Sequence, residues 1–197
     1  GGYEHNRQSL RIVTLLEDRY PEFPGLNLTY EVREGLAKHQ TTYDQPNAQA
    51  SIKKKGNATL EAQIVNLADE IAYTNHDLDD GLRSGLINLK QLSEVSLWSD
   101  HFTKTSLAEE KIRIRQTVKS IINATVTDLI QQTEENLKLH AVSTIAQVRA
   151  TKARLVTLSP SLEQKNRELK GFLREKMYRH YRVERMADKA ARILEGL

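Results

Sequence analysis

TLEAQIVNLADEIAYTNHDLDDG, residues 59–81, carries two helical patterns at once. Ile64, Leu67, Ala68, Ile71, Asn75 and Leu78 recur at spacings of three and four, the apolar stripe of a packed helix. Thr59 suits an N-cap, Glu61 sits in the first turn where the helix dipole favours a carboxylate, and Gly81 reads as the stop. Asp69, Tyr73, His76, Asp77 and Asp80 form a second strip at the same spacing. A solvated face would mix cations with its acids, yet no Lys or Arg lies between Leu60 and Leu82, and the flanking Val65 and Ala72 are apolar. The pattern predicts a helix buried on most sides with carboxylates turned inward, where they need a cation, a donor network or a proton. A plain solvated acidic face stands beside this as the alternative. The His76-Asp77 doublet does not decide between them, because neighbours on a helix point about 100° apart and build no metal site alone.

The wording LADEIAYTNHDLDDG resembles the signature helix of the deoxyguanosine triphosphate triphosphohydrolase-like family, within the HD-domain metal phosphohydrolase superfamily. The resemblance implies that Asp69 is the last metal ligand, that Tyr73 lies against the substrate sugar, and that Asp77 hydrogen-bonds the deoxyribose 3′-hydroxyl. It gives His76 no place in the superfamily's ligand doublet. The i, i+4, i+8 spacing of the three residues agrees with a shared pocket.

A chain of 197 residues suits one or two domains and can bury a real core. With 39% hydrophobic and 28% charged residues and only four prolines, the composition is soluble and helix-friendly. A formal charge of +3 is too small to argue for nucleic acid. The lack of cysteine excludes disulfides and thiolate metal sites and agrees with a cytoplasmic protein. No apolar run approaches membrane-spanning length, so no membrane is expected. The opening Gly1-Gly2 leads straight toward a helix without an initiator Met, as if the chain began mid-protein.

EHNRQSLRIVTLLEDR, residues 4–19, predicts a helix ended by Pro21, with Leu10, Val13 and Leu16 on its periodic side. EHNRQSLRI resembles a further segment of the same family, in which the histidine, here His5, projects toward the scissile phosphate. There an imidazole can donate to phosphate or relay a proton. Asn6 and Ser9 read as hydrogen-bonding supports. Pro21, Pro24 and Gly25 predict a rigid turn, and Asn27 or Thr29 the cap of a short helix to His39. Residues 40–58 have no period, and Lys53, Lys54 and Lys55 read as a solvated loop. Beyond Gly81 the reading is a helix over 82–92, a short one around Trp98, and a long one opened by a Ser106–Glu109 capping box and reaching about Leu139. Val118, Ile122, Val126, Leu129 and Ile130 mark the apolar side of the long helix. Ser159-Pro160 opens the last long helix, broken near His180-Tyr181. HYRVERMADKAARIL resembles the helical region that follows the core in the same family. Arg179, His180, Arg182, Arg185 and Lys189, interleaved with Tyr178 and Tyr181, leave open a solvated face, a subunit interface, a nucleotide effector pocket or a single-strand nucleic-acid groove.

The expected fold is all-α: part of an HD-type helical core over residues 1–104, then an associated long-helix region over 105–197. The resemblance implies metal-dependent hydrolysis of a deoxynucleoside triphosphate to deoxynucleoside and triphosphate in a longer parent protein, with Mg²⁺ or Mn²⁺ polarising the α-phosphate and activating water. It implies too that a ligand histidine and a His-Asp doublet lie upstream of His5, so the chain alone is expected to be inactive. His39, His101, His140 and His180 show no clustered spacing with Asp69. A homo-oligomer is the expected assembly. The rival is a non-catalytic helical module that binds nucleotide or nucleic acid.

Overall fold

Capping and turn chemistry place most of the helices. The computed structural model describes residues 5–39, 56–102 and 109–196, and among them nine α-helices and no strand. The all-α expectation is met. The helices are α1 (His5–Arg11), α2 (Tyr30–Ala37), α3 (Leu60–Arg83), α4 (Leu89–Leu92), α5 (Ser96–His101), α6 (Glu110–Leu139), α7 (Ile145–Ala150), α8 (Pro160–Leu173) and α9 (Tyr181–Glu195). Wide π-type turns continue α1 over Ile12–Leu16 and α8 over Arg174–Tyr178. The Lys53–Lys55 loop, the Ser106 end of the expected capping box and the boundary at 104/105 lie outside the described residues.

The described residues gather into two compact units that interleave along the chain: residues 1–70 with 131–157, and residues 71–130 with 158–197. Both α3 and α6 contribute to each.

In the first unit, Gly25 closes the turn after α1. Its φ of +74° is left-handed, and an added Cβ would stand 2.6 Å from the Val13 oxygen, so glycine is required there. Thr29 caps α2 by accepting from Val32 N. The Thr59 hydroxyl accepts from Ala62 N at 3.4 Å and starts α3 as expected. Asn136 on α6 donates to Leu155 O (3.0 Å) and Thr157 Oγ1 (2.9 Å), fixing the segment after α7.

In the second unit, Leu78, Ile87, Leu92, Val95, Leu97, Trp98, Ile121, Leu169 and Leu173 form one buried cluster. Ser159 N and Oγ donate to Asp128 at 2.8 and 2.6 Å, which seats the start of α8 beside α6. His180 caps α9 after the expected break.

Three expectations are corrected. Gly81 does not stop α3, which runs to Arg83. It is a contact residue instead, since a Cβ there would meet Ile87 Cδ1 at 2.9 Å and Met177 Sδ at 3.1 Å. The helix expected over 82–92 shrinks to α4, because the chain turns through Gly85 at φ +70° before Asn88 and Gln91 cap each other. The buried stripe of α6 is Thr117, Ile121, Thr125 and Leu129; of the expected residues Leu129 is buried and Val118 packs against the core, whereas Val126 and Ile130 are exposed. Thr117 and Thr125 can be buried because each hydroxyl donates to a carbonyl of its own helix, Arg113 O and Ile121 O, both at 2.8 Å.

Candidate functional site

In the first unit, α1 brings His5, the end of α2 brings His39, and α3 brings Asn66 and Asp69. Buried Asn6 donates through Nδ2 to His39 O at 2.7 Å, tying the start of α1 to the second residue beyond α2. His39 Nδ1 donates to Asn66 Oδ1 at 2.6 Å. The His5 and His39 rings stand edge to face, with centroids 6.1 Å apart and planes at 88°. His39 Nε2 lies 3.9 Å from Asp69 Oδ2. His39 thus joins Asp69 and His5, against the expectation that no other histidine clusters with Asp69.

Behind this group sits a buried ion cluster. Glu34 is 1% exposed and takes a bidentate contact from Arg149 of α7, at 2.8 and 2.6 Å. Lys38 Nζ adds a third contact at 2.8 Å and reaches on to Gly56 O at 3.1 Å. The Arg149 guanidinium holds the Glu34 carboxyl down at about 2, against the opposing effect of burial and with help from Lys38. Glu34 in turn raises Arg149. Asn57 N donates to Arg149 O at 3.1 Å, so one charge cluster anchors α2, α7 and the approach to α3.

In the second unit, α3 carries Tyr73 and Asp77, and the π-type turn after α8 carries Tyr178. The Tyr178 hydroxyl donates to Asp77 Oδ2 in a short hydrogen bond. The Tyr73 and Tyr178 rings lie 6.4 Å apart at 43°. Ile87 and Met177 pack where Gly81 has no side chain, which sets the turn carrying Tyr178 against α3.

The expected inward burial of the acidic strip is not observed. The Asp69 side chain is 57% exposed, Tyr73 is 45% exposed, and His76, Asp80, Ile64 and Val65 are exposed too, while Asp77 is half-buried. The buried side of α3 is Ile71, Thr74, Asn75, Leu78 and Gly81, which satisfies the helix without enclosing its acids. Among the described residues no group of three or more His, Cys, Asp or Glu side chains could hold a metal ion. Asp69 therefore offers one oxygen ligand, and these residues alone do not fit a divalent-metal site.

Two residues of these clusters escape a reading of the sequence. His39 lies 30 residues from Asp69, beyond any helical period. Tyr178 belongs by sequence to the basic cluster, and its interleaving with Arg and His was the only local signal. That cluster is exposed along α9, apart from partly covered His180. Arg182 stacks over the Tyr181 ring with its guanidinium carbon 5.8 Å from the centroid. No helix among the described residues is long and apolar enough to cross a membrane.

Comparison with known sequences agrees with the motifs. A family described as the phosphohydrolase-associated domain matches residues 156–197, which include HYRVERMADKAARIL. A deoxyguanosinetriphosphate triphosphohydrolase-like protein of Geobacter sulfurreducens is 47% identical over 202 residues, covering 100% of this chain and 52% of its own length. The corresponding figures are 50% identity, 100% and 54% for a protein of the same description from Azoarcus sp., and 42%, 100% and 53% for one from Bordetella pertussis. The chain spans about half the length of the curated relatives it matches. Along its whole length it is a homologue of the deoxyguanosinetriphosphate triphosphohydrolase-like proteins.

Proposed function

We propose that this chain serves, within a longer protein, in the hydrolysis of deoxynucleoside triphosphates to deoxynucleoside and inorganic triphosphate. Water adds to the α-phosphorus, the bond from that phosphorus to the 5′-oxygen breaks, and the departing hydroxyl takes a proton. A divalent metal, Mg²⁺ or Mn²⁺, would take one carboxylate oxygen from Asp69 and would polarise the α-phosphate, with its other ligands supplied by residues outside those described. His5 contacts the phosphate chain or passes the proton. Tyr73 offers a flat face to the deoxyribose and Asp77 accepts from its 3′-hydroxyl.

The observation that carries this reading is the likeness to triphosphohydrolase-like relatives over the whole chain, at 47% and 50% identity. The gathering of His5 and Asp69 around His39 supports it. The test is release of triphosphate from dGTP by the full-length protein with Mg²⁺ or Mn²⁺, resolved by anion-exchange chromatography. Asp69→Ala should abolish both bound metal and product, because a direct ligand is lost. His5→Ala should keep the metal and lower turnover. Equal metal loss in the two variants would refute this division of roles, and absence of triphosphate from the wild type would refute the reaction.

A further inference from the structure

We propose that His39 is a positioning residue of this phosphohydrolase site, holding the His5 ring at a fixed distance from Asp69. The inference deepens the function proposed above and rests on the roles given there to His5 and Asp69.

His39 lies two residues beyond the end of α2, after the cap residue Lys38, and its side chain is only 21% exposed. It is held from three directions. Its main-chain oxygen accepts from buried Asn6, the neighbour of His5, at 2.7 Å. Its Nδ1 is bonded at 2.6 Å to Asn66, which lies one turn before Asp69 on α3. Its sequence neighbour Lys38 is fixed to buried Glu34 at 2.8 Å and to Gly56 O at 3.1 Å. A ring held in this way is a rigid spacer.

The chemistry of the contacts argues for positioning rather than for pairing with Asp69. Asn66 Oδ1 can only accept, so Nδ1 carries a hydrogen and that edge of the ring is committed to Asn66. Nε2 lies 3.9 Å from Asp69 Oδ2, beyond hydrogen-bond reach. Asp69 is left available to other partners. The same ring meets His5 edge to face at 6.1 Å and restricts how the His5 imidazole can turn. One side chain therefore sets the geometry of two groups that act on the same phosphate. Displacing a catalytic group by about 1 Å can cost about a hundredfold in rate.

The experiment compares His39→Asn and His39→Gln with wild type in the full-length protein. Asparagine keeps an amide nitrogen near the Nδ1 position but removes the ring, whereas glutamine places nitrogen near Nε2 and loses the Asn66 bond. Both should leave metal content, melting temperature and KM for dGTP close to wild type while kcat falls about ten- to a hundredfold. Asn66→Ala, which frees Nδ1 without touching the His39 backbone, should lower kcat in the same direction and serves if the His39 variants fold poorly. In protein labelled with 15N-histidine, the ring resonances of His5 should move in His39→Asn while those of exposed His140 stay. Unchanged kcat, unmoved His5 resonances, or a kcat loss that tracks metal loss would each overturn the proposal. If wild type releases no triphosphate, the functional reading fails by itself, and the His5 resonances still decide whether His39 positions that ring.

Discussion

Glu34 sits 1% exposed with a guanidinium and an ammonium on its two oxygens, so its charge is stabilised only in the folded chain. Its carboxyl is held at about 2 against an ordinary 4.5. A depressed folded value means the stabilisation is fully present above pH 4.5 and is lost as the pH falls toward 2. That difference corresponds to about 3 kcal/mol. Urea unfolding of wild type between pH 6 and pH 2 should lose about that much more stability than Glu34→Gln, which has no carboxyl to protonate. Parallel pH profiles would show that the cluster adds no such term. Asp77 belongs to the same scale. Tyr178 occupies its Oδ2, which leaves the other oxygen for a substrate hydroxyl. A charged partner of a hydroxyl is worth about 1.5–3 kcal/mol, roughly ten- to a hundredfold in kcat/KM. Asp77→Asn in the full-length protein should therefore weaken use of dGTP far more than of its 3′-deoxy analogue, with metal content intact. Equal losses on both substrates would make Asp77 a structural acid. Asp69, Tyr73 and Asp77 stand out in the sequence as one strip at one-turn steps, and their proposed roles come from the family resemblance. His39 and Tyr178 were not, because their contacts with Asn66 and Asp77 span 27 and 101 residues and arise only from packing.

At the scale of elements, several caps and breaks set by a side chain were legible. Ser159 with Pro160, the break before Tyr181 and the Thr59 start of α3 all follow from local chemistry. The short α7, opened by a Thr144–Gln147 capping box, carried the same signal but was hidden by its six-residue length. The faces of the helices were less legible. On α6, Thr117 and Thr125 look polar in sequence and pack as apolar groups once their hydroxyls bond within the helix, which brings them into the buried stripe. That difference is measurable. Ile121 is completely buried in the core of the second unit, and Ile121→Ala should cost about 2–5 kcal/mol in urea unfolding. Val126 is 40% exposed, and Val126→Ala should cost less than about 1 kcal/mol. Similar costs at the two positions would restore the stripe read from periodicity. On α3 the uniform acidity of one strip suggested burial, but Ile71, Asn75 and Leu78 already give that helix its buried side. Acidity along this helix did not report which side is covered.

For the whole molecule, the decisive quantity is how many metal ligands the chain brings together. Catalytic divalent ions need several donors, usually three protein ligands or more. Among the described residues no group of three His, Cys, Asp or Glu side chains could hold one, and Asp69 lies 57% exposed with a single imidazole nearby. Exposure also weakens what one carboxylate can do, because solvent screens its attraction for a cation. The 197-residue chain, purified alone, should therefore show no saturable Mn²⁺ binding that Asp69→Ala abolishes, and no metal-dependent release of triphosphate from dGTP. Circular dichroism should still report a helical protein, since the buried cluster around Trp98 draws on residues 78–173 of this chain and needs no metal. The two readouts separate the possible outcomes. A helical chain without metal-dependent turnover is the outcome expected if Asp69 is one donor among several. Metal-dependent turnover by the isolated chain would mean that a complete ligand set forms within these 197 residues, and the assignment of Asp69 as a lone contributor would fall.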